Sequence, residues 1–71
     1  MNIQVNKAIK KATGYDVRLH KAEGCIIFYS DDSKTQDMIS SWYDGTVYVN
    51  SMNQLTVEQW VKEFKWRISN G

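Results

Sequence analysis

Apolar residues recur along this chain with two periods, and the switches between them mark its elements. Val5, Ala8, Ile9 and Ala12 fall at i, i+3, i+4 and i+7, while Lys7, Lys10 and Lys11 lie off that stripe. The spacing predicts a helix with one apolar face of mostly small residues. Gly14 stands where a left-handed C-terminal cap belongs, and lysines in the last turn suit the negative end of the helix dipole. Over residues 15–21 the period shortens to two. Val17 and Leu19 point one way and Asp16, Arg18 and His20 the other, which predicts a half-buried strand. Glu23-Gly24 supplies a turn. The β-branched and aromatic run Cys25-Ile26-Ile27-Phe28-Tyr29 reads as the central strand. The resulting hairpin has two registers open to it. A two-residue turn sets Ile26 and Phe28 beside Val17 and Leu19, and a three-residue turn sets Ile27 and Tyr29 there instead.

In the second half, Asp31-Asp32-Ser33 ends the strand. Ser33 with Gln36 fits a capping box, which predicts a short helix or helical turn over 35–42 with Met38, Ile39 and Trp42 on one side. Asp44-Gly45 is a turn signal. A third strand is expected over 46–49 and a loop over 50–53. The last segment is the most regular. Thr56 and Gln59 form a capping box, and Leu55 is placed to staple onto Trp60. Val57, Trp60, Val61, Phe64 and Ile68 then make one apolar stripe, each side chain worth roughly 1.5–3 kcal/mol when buried. The expectation is an α+β fold of order α-β-β-(α)-β-α. A three-stranded antiparallel sheet is packed by the N- and C-terminal helices, and residues 1–71 form a single domain.

Size sharpens this picture. A chain of 71 residues buries only about 60–65% of its unfolded surface, and its stability is expected to be a few kcal/mol. One cysteine, Cys25, rules out an internal disulfide. Three Trp, four Tyr and two Phe take the place of staples. The lone thiol in a strand-like run suits a reducing compartment. No apolar run approaches the roughly 20 residues of a membrane helix, and residues 1–12 lack the apolar core of an export signal. A cytoplasmic protein with no membrane partner is expected. Charge is segregated. Residues 1–21 hold Lys7, Lys10, Lys11, Arg18 and Lys21 against Asp16, a net of +4. Residues 22–58 hold Glu23, Asp31, Asp32, Asp37, Asp44 and Glu58 against Lys34, a net of −5. Residues 59–71 return to +2, with Lys62, Lys65 and Arg67 against Glu63. Such segregation steers partners, although an ordinary mixed surface has similar ingredients.

Little here supports catalysis. His20 and Cys25 flank the expected hairpin turn, but a solvent-facing histidine and a buried thiol account for both without a nucleophile pair. One His and one Cys cannot make a zinc site. No phosphate-cradling loop or dinucleotide fingerprint is present. Asp31, Asp32, Asp37 and Asp44 lack the spacing and glycine of a calcium loop, and capping explains them better. Neither an enzyme nor a cofactor is expected, which leaves binding. Trp66 lies opposite the apolar stripe of the last helix, among Gln59, Lys62 and Glu63, and a tryptophan on a solvated face marks a contact surface. Trp42 and Tyr43 form a second aromatic pair, one expected to face the core and the other to sit beside Asp44. The candidate partner-binding residues are therefore Trp66, Lys62, Trp42, Tyr43 and Asp44. The expected partner is a host or phage protein. A homodimer covering Trp66 is one rival. Nucleic acid held by Lys7, Lys10, Lys11 and Arg18 is another, although the near-zero net charge and the lack of a helix-turn-helix, RNP or finger signature weigh against it.

Glu23-Gly24, the aromatic strand after it, Thr46-Val47-Tyr48-Val49 and Leu55-Thr56-Val57-Glu58-Gln59-Trp60 together resemble a class of short uncharacterised proteins of bacteriophages, prophages and mobile elements. The resemblance spans residues 15–64. Cys25 departs from it, since an aromatic is expected there. It brings no catalytic residues. It implies expression in a bacterial cytoplasm and an anti-defence role, such as inhibition of a host defence nuclease.

Overall fold

The computed structural model describes residues 2–42 and 45–70. Three helices and three strands follow one another as α1 (Asn2–Thr13), β1 (Arg18–Ala22), β2 (Cys25–Tyr29), α2 (Ser33–Ser40), β3 (Thr46–Val47) and α3 (Val57–Asn70). The sheet is antiparallel with β2 at its centre, in the order β1-β2-β3. The α+β architecture and element order are those the hydrophobic pattern predicts.

The hairpin register is the first thing the structure settles. Ala22 pairs with Cys25, leaving Glu23 and Gly24 as a two-residue turn. Gly24 takes φ +73°, a left-handed conformation that side chains with a Cβ adopt only at a cost. Leu19 therefore lies opposite Phe28, and Ile26 and Phe28 point inward beside Val17 and Leu19. Ile27 and Tyr29 point to the other face. One residue more in the turn would exchange the two sets.

Each helix contributes to the single apolar cluster beneath that inner face: Val5 and Ile9 from α1, Ile39 from α2, Trp60 and Phe64 from α3. Gly14 caps α1 at φ +82°, donating its amide to the Lys10 carbonyl at 2.7 Å. Thr56 and Gln59 close the reciprocal box at the start of α3. The Gln59 amide donates to Thr56 Oγ1 at 3.1 Å, and the Thr56 amide to Gln59 Oε1 at 2.8 Å.

Phe28 is the hub of the core. Trp60 meets its ring edge-on at 6.0 Å, Trp42 at 6.1 Å and Phe64 at 5.4 Å. The Arg67 guanidinium carbon lies 5.7 Å from the centre of the same ring. Trp60 also satisfies its indole N–H within the fold, donating to the Met52 carbonyl at 3.0 Å.

Five local expectations are corrected. The third strand ends at Val47, because the Val49 amide turns back to donate to the Val47 carbonyl at 3.0 Å. The loop after it contains a short 3-10 turn, Met52–Gln54. The cap of α2 is Asp32, not Ser33. Asp32 Oδ2 accepts from the Thr35 amide at 3.0 Å and from the Thr35 hydroxyl at 2.8 Å. Gln36 is drawn away from Ser33, and its Oε1 accepts from the Ser30 amide at 2.8 Å. Ser30, itself buried, donates its hydroxyl to the Asp16 carbonyl at 2.6 Å, tying the entry of β1 to the exit of β2. At the ends of two stripes, Ala12 is exposed and Ile68 is 37% exposed. On α3 the core face runs instead through Trp60, Phe64 and Arg67.

Two predictions follow from this packing. Phe28→Ala removes the ring on which three others rest and should cost about 3–5 kcal/mol, comparable with the whole stability of a small domain. Urea denaturation should show it largely unfolded in buffer, while Phe28→Leu stays folded with a lower midpoint. The second concerns pH. The Thr35 hydroxyl first and the Thr35 amide second hold the Asp32 carboxyl below its ordinary pKa, with Lys34 and Lys10 adding attraction. A carboxyl depressed by folding contributes stability above its unfolded pKa, about 4, and loses it as pH falls through the folded value. Asp32→Asn, which keeps a capping oxygen but does not titrate, should melt below the wild type at about pH 6. The gap should close toward about pH 2.

Candidate partner-binding surface

Of the five residues proposed for partner contact, the three described ones do not converge. Trp66 and Lys62 are one turn apart on α3 and share a depression of about 420 Å³ with Glu63 and Arg67. Trp66 is 60% exposed. Trp42 is not on this surface, nor on any other. It is 8% exposed and stacks edge-on against Phe64 at 5.4 Å as well as against Phe28, so its apolar area is already spent on the core. Tyr43 and Asp44 lie outside the described residues.

The floor of the α3 depression is set by Arg67, which the hydrophobic pattern overlooks. It is buried on the core side of α3, seven residues after Trp60 and three after Phe64, positions that i+7 and i+3 spacing assigns to the inner face. Its Nη2 donates to the Thr46 carbonyl of β3 at 3.1 Å. Its Nη1 donates to the Glu63 carboxylate at 2.6 Å and to the Glu63 carbonyl at 3.0 Å. The planar fork thus holds the short edge strand to the last helix while its guanidinium carbon lies over the Phe28 ring. Among the described residues, Arg67 Nε is buried with no hydrogen-bond partner.

Two further surfaces escape a reading based on helix stripes. The outer face of the sheet carries Arg18 and His20 from β1, opposite Tyr29 and Ile27 of β2. All three helices pack on the inner side, so among the described residues no element covers this face. Tyr29 is 38% exposed, and Tyr48, just beyond β3, is 75% exposed. Alternation in Cys25–Tyr29 contains this information once the turn length is known. The second surface is the groove between α1 and β1, about 200 Å³, lined by Ile3, Asn6, Lys7, Lys10, Asp16 and Arg18. No acidic residue occurs in α1, so Asp16 is the one carboxylate among those lining residues.

His20 and Cys25 do lie on the same face of the hairpin, with Cys25 partly buried. Asp31, Asp32 and Asp37 are exposed around the start of α2. Among the described residues no three His, Cys, Asp or Glu side chains gather as metal ligands would. No helix among them is long and apolar enough to cross a membrane. Comparison of the chain with protein-family models, with curated proteins and with solved structures finds no match.

Arg67→Met tests the clamp. Methionine keeps an apolar stem of similar length but removes the guanidinium over Phe28 and the charge-assisted hydrogen bond to the Thr46 carbonyl, a loss of about 1.5–3 kcal/mol. Hydrogen exchange should accelerate in the amides joining β2 to β3 before those joining β1 to β2.

Proposed function

We propose that this chain is a phage or mobile-element accessory protein that acts by binding a host protein through the outer face of α3, with inhibition of a host defence nuclease as its role. One observation carries the reading. Of the three tryptophans, Trp42 and Trp60 are packed into the core while Trp66 is 60% exposed beside Lys62. A rigid aromatic with a neighbouring cation is the composition of an interface anchor. The exposed carboxylates before and within α2, Asp31, Asp32 and Asp37, complement a basic nucleic-acid channel, and such complementarity raises association rates more than affinity. The resemblance of residues 15–64 to short phage and prophage proteins supplies the cellular setting.

A second reading has its own observation. Lys7, Lys10 and Lys11 are exposed on a helix without a carboxylate, and Lys7 and Lys10 share a groove with Arg18. That arrangement fits phosphate contact, making the chain a nucleic-acid-binding accessory protein. A homodimer covering Trp66 is the remaining alternative.

Trp66→Ala separates these. Truncating an interface anchor costs about 2 kcal/mol or more, roughly a thirtyfold loss of affinity. In a pull-down from bacterial lysate followed by titration of the captured protein, the variant should lose the partner while its melting temperature stays close to that of the wild type. Unchanged affinity removes Trp66 from the site. Light scattering on the isolated chain that shows a dimer, and a monomer for Trp66→Ala, replaces the reading with self-association.

A further inference from the structure

We infer that the open face of the sheet is a binding platform for single-stranded nucleic acid, with Tyr29 as a base-stacking residue and the Lys7–Lys10–Arg18 groove as the track for phosphates. The inference rests on the second reading above and gives it a strand preference and a site.

Two observations point to this occupant. First, the face has the right chemistry. Tyr29 and Ile27 present partly exposed apolar surface at its centre. Their cross-strand partners on the same face are Arg18 and His20, not carboxylates. A base needs an apolar, preferably aromatic, plane, and its phosphate needs a cation within reach. Arg18 is paired with Tyr29 across the hairpin, which places both functions side by side. Second, the cations continue off the sheet. Arg18 also lines the groove with Lys7 and Lys10, where Asp16 is the one acid among the lining residues, so the basic surface runs from the outer face around the β1 edge onto α1. Duplex DNA offers no exposed base planes to such a surface and would engage the lysines alone.

The other candidate occupants fit less well. A second copy of the chain would set Arg18 of one face against Arg18 of its mate, a like-charge arrangement that disfavours pairing. A protein partner remains assigned to α3, on a different element from β1 and β2 and without the basic groove.

The test uses the full chain and fluorescent oligothymidylate of about twelve nucleotides, within the span of one small platform, with a duplex of the same length alongside. At low salt the single strand should bind more tightly than the duplex. Three phosphate contacts give a slope of roughly −2 for log K against log salt on a single strand, a loss of roughly twentyfold between about 50 and 200 mM. Tyr29→Ala should weaken single-strand binding roughly tenfold or more, and Tyr29→Phe should retain it, since stacking needs the ring and not the hydroxyl. Lys7→Gln with Lys10→Gln should flatten the salt slope for both probes. Equal or tighter duplex binding, indifferent to Tyr29→Ala, overturns the platform and leaves the α1 reading standing. No binding of either probe at low salt overturns both. A Tyr29→Ala variant that changes oligomeric state by light scattering without any oligonucleotide binding overturns both and assigns the face to self-association.

Discussion

The structure depends on where one phenylalanine points. Phe28 is almost fully buried and receives the edges of Trp42, Trp60 and Phe64. These three come from the segment just after α2 and from two successive turns of α3. Without Phe28 the helices would lose the central ring of the sheet's inner face, keeping only the aliphatic side chains of Val17, Leu19, Ile26 and Val47 to pack against. Edge-to-face contacts of this kind add roughly 0.5–1.5 kcal/mol each beyond the area they bury. In a chain with no disulfide, several such contacts on one ring amount to a substantial share of the expected stability.

The orientation of Phe28 follows from the turn that precedes it. Because Glu23 and Gly24 alone connect β1 to β2, Ile26 and Phe28 face the helices, and Ile27 and Tyr29 face away. The same constraint therefore produces the core and the open face. It also explains the pairing of Arg18 with Tyr29 and of His20 with Ile27. Chemistry on the outer surface is a by-product of the register that stability demands. A variant that changed the turn length would lose both together.

Much of the fold can be read from apolar spacing because the long elements repeat their pattern several times. The stripe of α3 repeats from Val57 to Phe64 and has a capping box at its start, so the helix and most of its buried face are specified. What spacing alone leaves open is what depends on a single residue of offset. The sequence around Gly24 permits two registers, and only the packing of Phe28 against three other rings decides between them. The error at Ile68 has a related cause. A straight stripe continued from Phe64 reaches Ile68, but the sheet ends near Thr46, and the inner position there is taken by Arg67, whose fork reaches the Thr46 carbonyl. An arginine reads as surface by composition, and only a neighbouring carbonyl and an aromatic ring make it a core residue. The same reasoning applies to Trp42. Its neighbour Tyr43 offers an equally plausible inward side chain, and it is the proximity of Phe64 and Phe28 that claims Trp42 for the core.

That division of the tryptophans bears on what the molecule does. Burial of large aromatics is the main resource by which a chain of this size stays folded, so an aromatic left outside needs a reason. For Trp66 the packing of the core supplies none. Arg67 occupies the inner position next to it, and the α3 stripe is complete without it. For Tyr29 the fold does supply one, since the register that turns Phe28 inward turns Tyr29 outward. Trp66 thus lies outside the core face of α3 and is 60% exposed. Tyr29 is exposed by necessity, and it is its basic surroundings, Arg18 across the hairpin and the lysines of α1 beyond it, that give its exposure chemical meaning.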